Sequence, residues 1–568
     1  MRPTRMKTRS RAAFRAAPAL ASLAAVVALG WAGCEAPEAA PGPSSDLAPP
    51  PAPASPPDAM TAAGHFKRGS DLLKADRNAD ALAEFTESIR RDPNQPAAYV
   101  KRGMALIGLG DTEPGIRDFG DAIRLAPNSP DGYLARGIVE KSRKDYPAAI
   151  RDFNEVLRLE PNSVPALFNL GETYLRVGDY DRCIATFNKG IALRPGDAAA
   201  HVDRGTAYSF QHNPRMAIDD FGEAIRINPT FAPVYAERAE IHMERREFET
   251  AIGDLDTALL LDPDLAVARE DRGRAYVALG HNSRGLADLD EAVRLDPKSA
   301  GPLIARGNAC RTIGKRDAAI ADFTAAIRLD PRSGAAYIDR GNTFSTLGKS
   351  ELALADFSKA ISVEPANPRG FVARALEEGT NGDMTKPIAD LTEAIRLNPK
   401  YPRIYSYRGL AYLRIPDFAR ALTDLDAAIQ AQPGVASDLF LRGHAKAKLG
   451  QFRGALADLD AGLQLKPDEA IALNEIAWIR ATAPDATVRD GQKAVEAASR
   501  TCAMTNWKDP GYIDTLAAAC AEAGQFDEAV RWEEKSIEFP LPAQSIADSR
   551  KRLDLYRNRK PYRAPVSD

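Results

Sequence analysis

Neither sign of charge dominates this sequence: 75 Lys and Arg stand against 78 Asp and Glu, a net charge of -3 over 568 residues. That balance argues against a nucleic-acid binder, which carries a basic excess. Aromatic residues make up only 7% of the chain, which suits thin helical layers better than one large core. Cysteine is scarce: Cys34, Cys183, Cys310, Cys502 and Cys520 form no CxxC and no Cys/His spacing suited to a metal. The histidines (His65, His201, His212, His242, His281, His444) are scattered and form no HExxH. No Gly-rich phosphate cradle and no GxSxG occurs. These absences point away from an enzyme and from a bound cofactor, and no catalytic or metal-ligating residue is assigned. Past residue 60 nothing reads as a membrane span, which needs about 20 apolar residues.

The N-terminus is a separate matter. Arg2, Arg5, Lys7, Arg9, Arg11 and Arg15 precede an apolar stretch from Pro18 to Gly33 that ends in small residues, the pattern of an export signal over residues 1–33. The sequence "WAGC" then resembles a bacterial lipobox, with Cys34 as the lipidated residue, although Trp31 stands where that pattern prefers Leu. An uncleaved anchor and ordinary secretion are the alternatives. Residues 34–60 are mostly Ala, Pro, Ser and Gly and read as an extended, solvated tether. Together these features predict a chain exported and anchored in a bacterial cell envelope, on its periplasmic side.

What is abundant is repetition. The phrase "AIADFTAAIRLDP", Ala319 to Pro331, has close copies 34 residues before and after it. Its proline recurs at every 34-residue step from Pro93 to Pro467, without an insertion, so residues 62–469 divide into twelve units starting at Ala62. With each unit numbered from 1 to 34, position 8 is Gly or Ala and position 24 is Phe or Leu throughout, as in Gly341 and Phe357. Positions 20, 21, 24, 27 and 28 step by three and four, one face of a helix. A Gly near position 15 (Gly110, Gly178, Gly280, Gly314, Gly348, Gly450) marks a turn between two helices. Beyond residue 469 the period slips: residues 470–542 read as two irregular helix pairs and 543–568 as a capping helix and tail. Cys183 takes a slot where other units place Ala or Gly and reads as a small buried thiol; a disulfide between Cys502 and Cys520 is left open.

Period, small positions, aromatic and proline together resemble the tetratricopeptide repeat family. The resemblance implies an all-α, right-handed superhelical solenoid of about 14 antiparallel helix pairs, whose concave groove binds proteins or peptide segments. One departure stands out. Position 7, normally apolar in the family, is Arg in every unit but the fourth: Arg68, Arg102, Arg136, Arg204, Arg238, Arg272, Arg306, Arg340, Arg374, Arg408 and Arg442. Position 23 is acidic in every unit but the same one, where Leu170 and Thr186 replace the two. The shared exception predicts a structural pair such as Arg306–Asp322 or Arg340–Asp356 inside each unit, because the guanidinium fork holds a carboxylate bidentately. A ladder of arginines binding an acidic ligand is the alternative.

The resemblance places the groove at positions 2, 5, 9, 12 and 13 of each first helix. Those positions give an apolar zone (Phe66, Met104, Leu134), an acidic zone (Glu172, Glu240, Glu244, Glu270) and a polar zone (Asn308, Arg311, Asn342). Stacked Asn side chains bond both edges of an extended peptide backbone, and the acidic zone predicts a basic, extended partner segment. The expectation is a non-catalytic, membrane-tethered scaffold for protein partners. An obligate accessory subunit of an envelope enzyme complex or secretion machine is the other reading.

Overall fold

The computed structural model describes residues 60–379, 383–401, 403–540 and 542–564. The predicted signal, Cys34 and nearly all of the Pro-rich stretch lie outside the described residues. Among the described residues there are 29 α-helices and no strand. None of the described helices is long and apolar enough to cross a membrane. The chain divides between Asp296 and Pro297 into two compact units. Each unit is a solenoid of consecutive helix pairs.

Repeat 9 illustrates how a unit forms. Its first helix, Gly334–Thr346, is capped by Ser333, whose hydroxyl accepts from the Ala336 amide. Its second, Ser350–Val363, buries Ala353, Asp356, Phe357 and Ala360. Phe357 fills the space over Gly341: a Cβ at that glycine would lie 2.6 Å from the ring. The Gly/Phe correspondence at positions 8 and 24 is therefore steric, since the bulk on one helix occupies the volume missing from the other. Burying such a ring contributes about 1.5–3 kcal/mol.

The turn glycines predicted at position 15 take left-handed conformations, with φ of +82° at Gly314 and +69° at Gly348. Where other units lack glycine the backbone turns the same way, at Asp76 (φ +58°), Lys144 (+67°), His212 (+57°) and Arg246 (+63°).

The irregular end also forms helix pairs, Ala470–Thr482 with Gly491–Met504 and Pro510–Glu522 with Phe526–Ile537, followed by the helix Ala543–Arg557. This last helix buries Leu553 and Tyr556, with Tyr556 in the apolar cluster of Ile513, Leu516 and Ala529. Counting from Ala529 as position 20, the slot that elsewhere holds Phe or Leu holds Glu533, whose side chain is 0% exposed. Cys183, Cys310, Cys502 and Cys520 are buried, and no disulfide joins them among the described residues. Burial pushes Cys502 and Cys520 up to about 11.

Candidate functional site

The arginines of position 7 lie along the seam between the two helices of each unit. Arg340 donates from Nε to Asp356 Oδ2 at 2.8 Å and from Nη2 to Oδ1 at 2.7 Å. The same bidentate bond joins Arg102 to Asp118, Arg204 to Asp220, Arg306 to Asp322 and Arg442 to Asp458. The aspartates are buried: Asp356 is 6% exposed. In repeat 1 the geometry loosens, because His65 Nδ1 lies 2.6 Å from Glu84 while Arg68 approaches it only to 3.3 Å. In repeat 4 Leu170 is buried and the Thr186 hydroxyl donates to the Arg182 carbonyl, so no polar group is left over. The carboxylates fill the guanidinium forks, which does not favour the alternative of arginines presented to an acidic ligand.

A third partner is missing from the sequence reading. Arg340 Nη1 donates to Thr324 Oγ1 at 3.0 Å, Arg204 Nη1 to Asn188 Oδ1 at 2.7 Å and Arg272 Nη1 to Asp256 Oδ1 at 2.6 Å. These acceptors occupy position 25 of the preceding unit, so each such arginine bonds within its own repeat and to the one before. The signal was present: position 25 is Gly or a short polar residue in every unit.

The apolar zone is more covered than the groove reading implied. Leu134 is 8% exposed and belongs to a core cluster with Ile138, Phe153 and Leu170. Phe66 packs on Phe85 with ring centroids 5.9 Å apart. Met104 lies against the cluster of Val100, Phe119 and Val139. Leu134 is therefore corrected from a partner-binding residue to a core residue, because the following helices close over position 5.

The polar zone also changes meaning. Asn308 donates from Nδ2 to Asp339 Oδ2 at 3.1 Å and its Oδ1 accepts from Arg311 Nη2 at 2.9 Å. Both edges of that Asn308 amide are engaged inside the protein, which competes with the peptide bonding expected of it. Asn342 is half-buried.

The acidic zone divides. Glu172 is neutralised by Lys141, whose Nζ donates to Glu172 Oε2 at 2.7 Å, and by Arg176 at 3.4 Å. Repeats 6 and 7 differ. Burial, reinforced by the neighbouring Asp271, pushes Glu270 up to about 7. Burial also pushes Asp271 up to about 6; Arg274, donating to it at 2.8 Å, opposes that, and Glu240 adds to it. Glu270 and Asp271 thus form a place where negative charge is costly and a cation from outside would be stabilised. Glu244 lies exposed beside it on the helix Ala232–Glu244.

In the second unit an open cleft of about 620 Å³ lies at the stretched connection of repeat 13, lined by Lys446, Phe452, Arg453, Pro484 and Val488. Its cations are engaged: Lys446 pairs with Asp458 at 2.8 Å, and Arg453 bonds Thr487.

Comparison with known proteins places these observations. Tetratricopeptide repeat profiles match residues 66–130, 142–202, 238–306, 304–370 and 372–436, more than half of the chain. No match is found among curated proteins. Among solved structures, similarity is found to the APC/C hetero-tetramer Cut9-Hcn1, at 14% identity over 79% of this chain and 95% of that chain, with a TM-score of 0.39. A tetratricopeptide repeat protein from Parabacteroides merdae matches at 20% identity over 44% of this chain and 98% of that chain, TM-score 0.39. The protein MamA matches at 25% identity over 30% of this chain and 92% of that chain, TM-score 0.28. With the repeat profiles covering most of the regular array, the chain belongs to the tetratricopeptide repeat family.

Proposed function

We propose that this protein is a non-catalytic scaffold, held to the bacterial envelope through a lipid on Cys34, whose first-helix faces in repeats 6 and 7 capture an extended basic segment of a partner protein. A tetratricopeptide repeat array is a protein–protein interaction scaffold; what is specific here is the choice of partner. The observation that carries it is the adjacent carboxyl pair Glu270 and Asp271 on the first helix of repeat 7, where burial has pushed Glu270 up to about 7 and Asp271 up to about 6. A Lys or Arg entering beside them relieves that cost, and one sign of charge lining a face speeds capture of the opposite sign.

The test uses solubilised native envelopes. The full chain and a variant carrying Glu240→Lys, Glu244→Lys and Glu270→Lys are used to capture partners, which mass spectrometry identifies. The proposal expects a partner with a Lys- or Arg-bearing extended segment, lost from the variant and weakened by salt, since exposed charges are screened beyond about 8–10 Å at physiological ionic strength. Equal capture by both chains at all salt concentrations would place partner binding elsewhere. Anchoring is tested separately: Cys34→Ser should abolish labelling by a fatty-acid analogue, and undiminished labelling would remove the lipid from the proposal.

A further inference from the structure

Among the described residues an extended segment lies on first-helix faces, and it belongs to the chain itself. After the helix Ala543–Arg557, Arg559 turns left-handed (φ +54°) and the Lys560 amide closes back onto the Leu555 carbonyl at 2.9 Å. The chain reverses there and runs against repeats 13 and 14. The ring of Tyr562 lies 5.9 Å from that of Trp478, and the Arg552 guanidinium stands 5.7 Å from the Tyr562 centroid and 5.9 Å from that of Trp478. Arg563 pairs with Glu522 at 2.7 Å and donates to the Ala481 carbonyl at 3.4 Å. The Ala564 amide donates to the Thr482 carbonyl at 2.9 Å.

The contacted residues matter as much as the contacts. Counted from Ala470, Trp478, Ala481 and Thr482 are positions 9, 12 and 13; counted from Pro510, Glu522 is position 13. These are the positions assigned to partner contact throughout the array. The site is also braced. Arg552 is held by Asp514 at 2.7 Å and donates to Ser549 at 3.0 Å. Glu522 is held by Arg489 at 2.9 Å, which also donates to the Ala483 and Pro484 carbonyls. An aromatic contact, an ion pair and a backbone hydrogen bond together are the means by which a groove grips an extended peptide.

The segment is not needed to close the stack, because the preceding helix already buries Leu553 and Tyr556. Tyr562, Arg563 and Ala564 are only half-buried. So short a stretch with few buried contacts opens at low free-energy cost.

We infer that the first helices of repeats 13 and 14 form a binding site for an extended aromatic–arginine segment, that residues 561–564 occupy it in cis, and that a partner segment of the same pattern enters by displacing them. This rests on the reading that first-helix faces bind extended partner segments, and it adds a second site with a different chemistry from the acidic one.

The probe is a fluorescein-labelled peptide with the sequence of residues 560–567, followed by anisotropy. The full chain carrying Tyr562→Ala and Arg563→Ala, with its own segment released, should bind the peptide saturably. The unsubstituted chain should bind at least about tenfold more weakly, because a tethered competitor acts at millimolar effective concentration. Adding Trp478→Ala or Glu522→Gln to the released variant should weaken binding. Equal binding by the two chains, or none by a released variant with unchanged helicity and melting, overturns the inference. A second measurement needs no variant: tryptic cleavage after Arg563 in the unsubstituted chain should be slower than in the free peptide and should accelerate with excess unlabelled peptide. Cleavage at the free-peptide rate also overturns the inference. If partner capture by repeats 6 and 7 persists while this peptide fails to bind, the cis-occupied site alone is refuted.

Discussion

At the scale of single residues, the arginine of position 7, as at Arg340, performs two tasks with three hydrogen bonds. Nε and Nη2 close the repeat onto its own aspartate, and Nη1 reaches back to the preceding repeat. The pairing was legible because repeat 4 lacks both partners at once, at Leu170 and Thr186. The backward bond was not read, because position 25 varies among Gly, Ser, Thr, Asn and Asp and shows a pattern only once geometry says what it must accept. Arg340→Leu should strand buried Asp356 and cost about 3–5 kcal/mol, as breaking a buried pair does. Arg340→Leu combined with Asp356→Thr copies repeat 4 and should recover most of that loss in denaturant unfolding. Additive losses in the double variant would mean the two side chains are not coupled. Thr324→Val removes only the backward bond and should cost about 1 kcal/mol.

At the scale of the helix pair, the period dictated nearly everything. Gly at position 8 and Phe or Leu at position 24 are two halves of one steric fit, and Gly at position 15 supplies the left-handed turn. The covered faces were less legible. A helix period tells which residues share a side, whereas whether that side is open depends on the next helices, which cover Leu134. Equally, periodicity does not reveal that Asn308 spends its amide on Asp339 and Arg311. The turn itself yields a prediction. His212 and Arg246 hold φ of +57° and +63° where other repeats have glycine. A side chain in that region costs about 1–2 kcal/mol, and glycine gives part of this back as unfolded-chain entropy. His212→Gly and Arg246→Gly should therefore each stabilise the array by about 0.5–1 kcal/mol. Gly314→Ala should destabilise by about 1 kcal/mol: at φ +82° a Cβ there meets nothing within 4 Å, so the cost is purely conformational. Thermal melts of the three variants check both signs, and stabilisation by Gly314→Ala would contradict the account.

At the scale of the whole molecule, near-neutral net charge conceals carboxyl groups buried at particular repeats, and these make stability depend on pH unevenly along the chain. The strongest case is Glu533. It sits in the slot of the core aromatic, within 3.5 Å of Arg552 and beside Asp514, Ser549 and Tyr556, and burial followed by the charge of Asp514 pushes it up to about 9. Its folded pKa lies above the ordinary 4.5, so between those values the folded chain holds a proton that the unfolded chain has released. The stability from this group is complete below about pH 4.5 and falls as pH rises, by about 1.4 kcal/mol per unit for one proton, until it levels off near pH 9. In a stack each repeat contacts only its neighbours, so the loss is felt first at repeats 13 and 14 and the closing helix rather than across the array. Hydrogen exchange read as opening free energy should therefore show the amides of Leu553 and Tyr556 losing protection between pH 7 and 9 more steeply than those of Phe323 or Phe357 in the same unit. Glu533→Gln removes the titrating proton and should flatten that dependence. Release of Tyr562 and Arg563 should follow the same profile, because Arg552, the guanidinium over the Tyr562 ring, is carried by the helix that loosens. If the closing helix keeps its protection to pH 9.5 in the unsubstituted chain, Glu533 does not stay protonated in the fold and its burial has no hold on that end of the molecule.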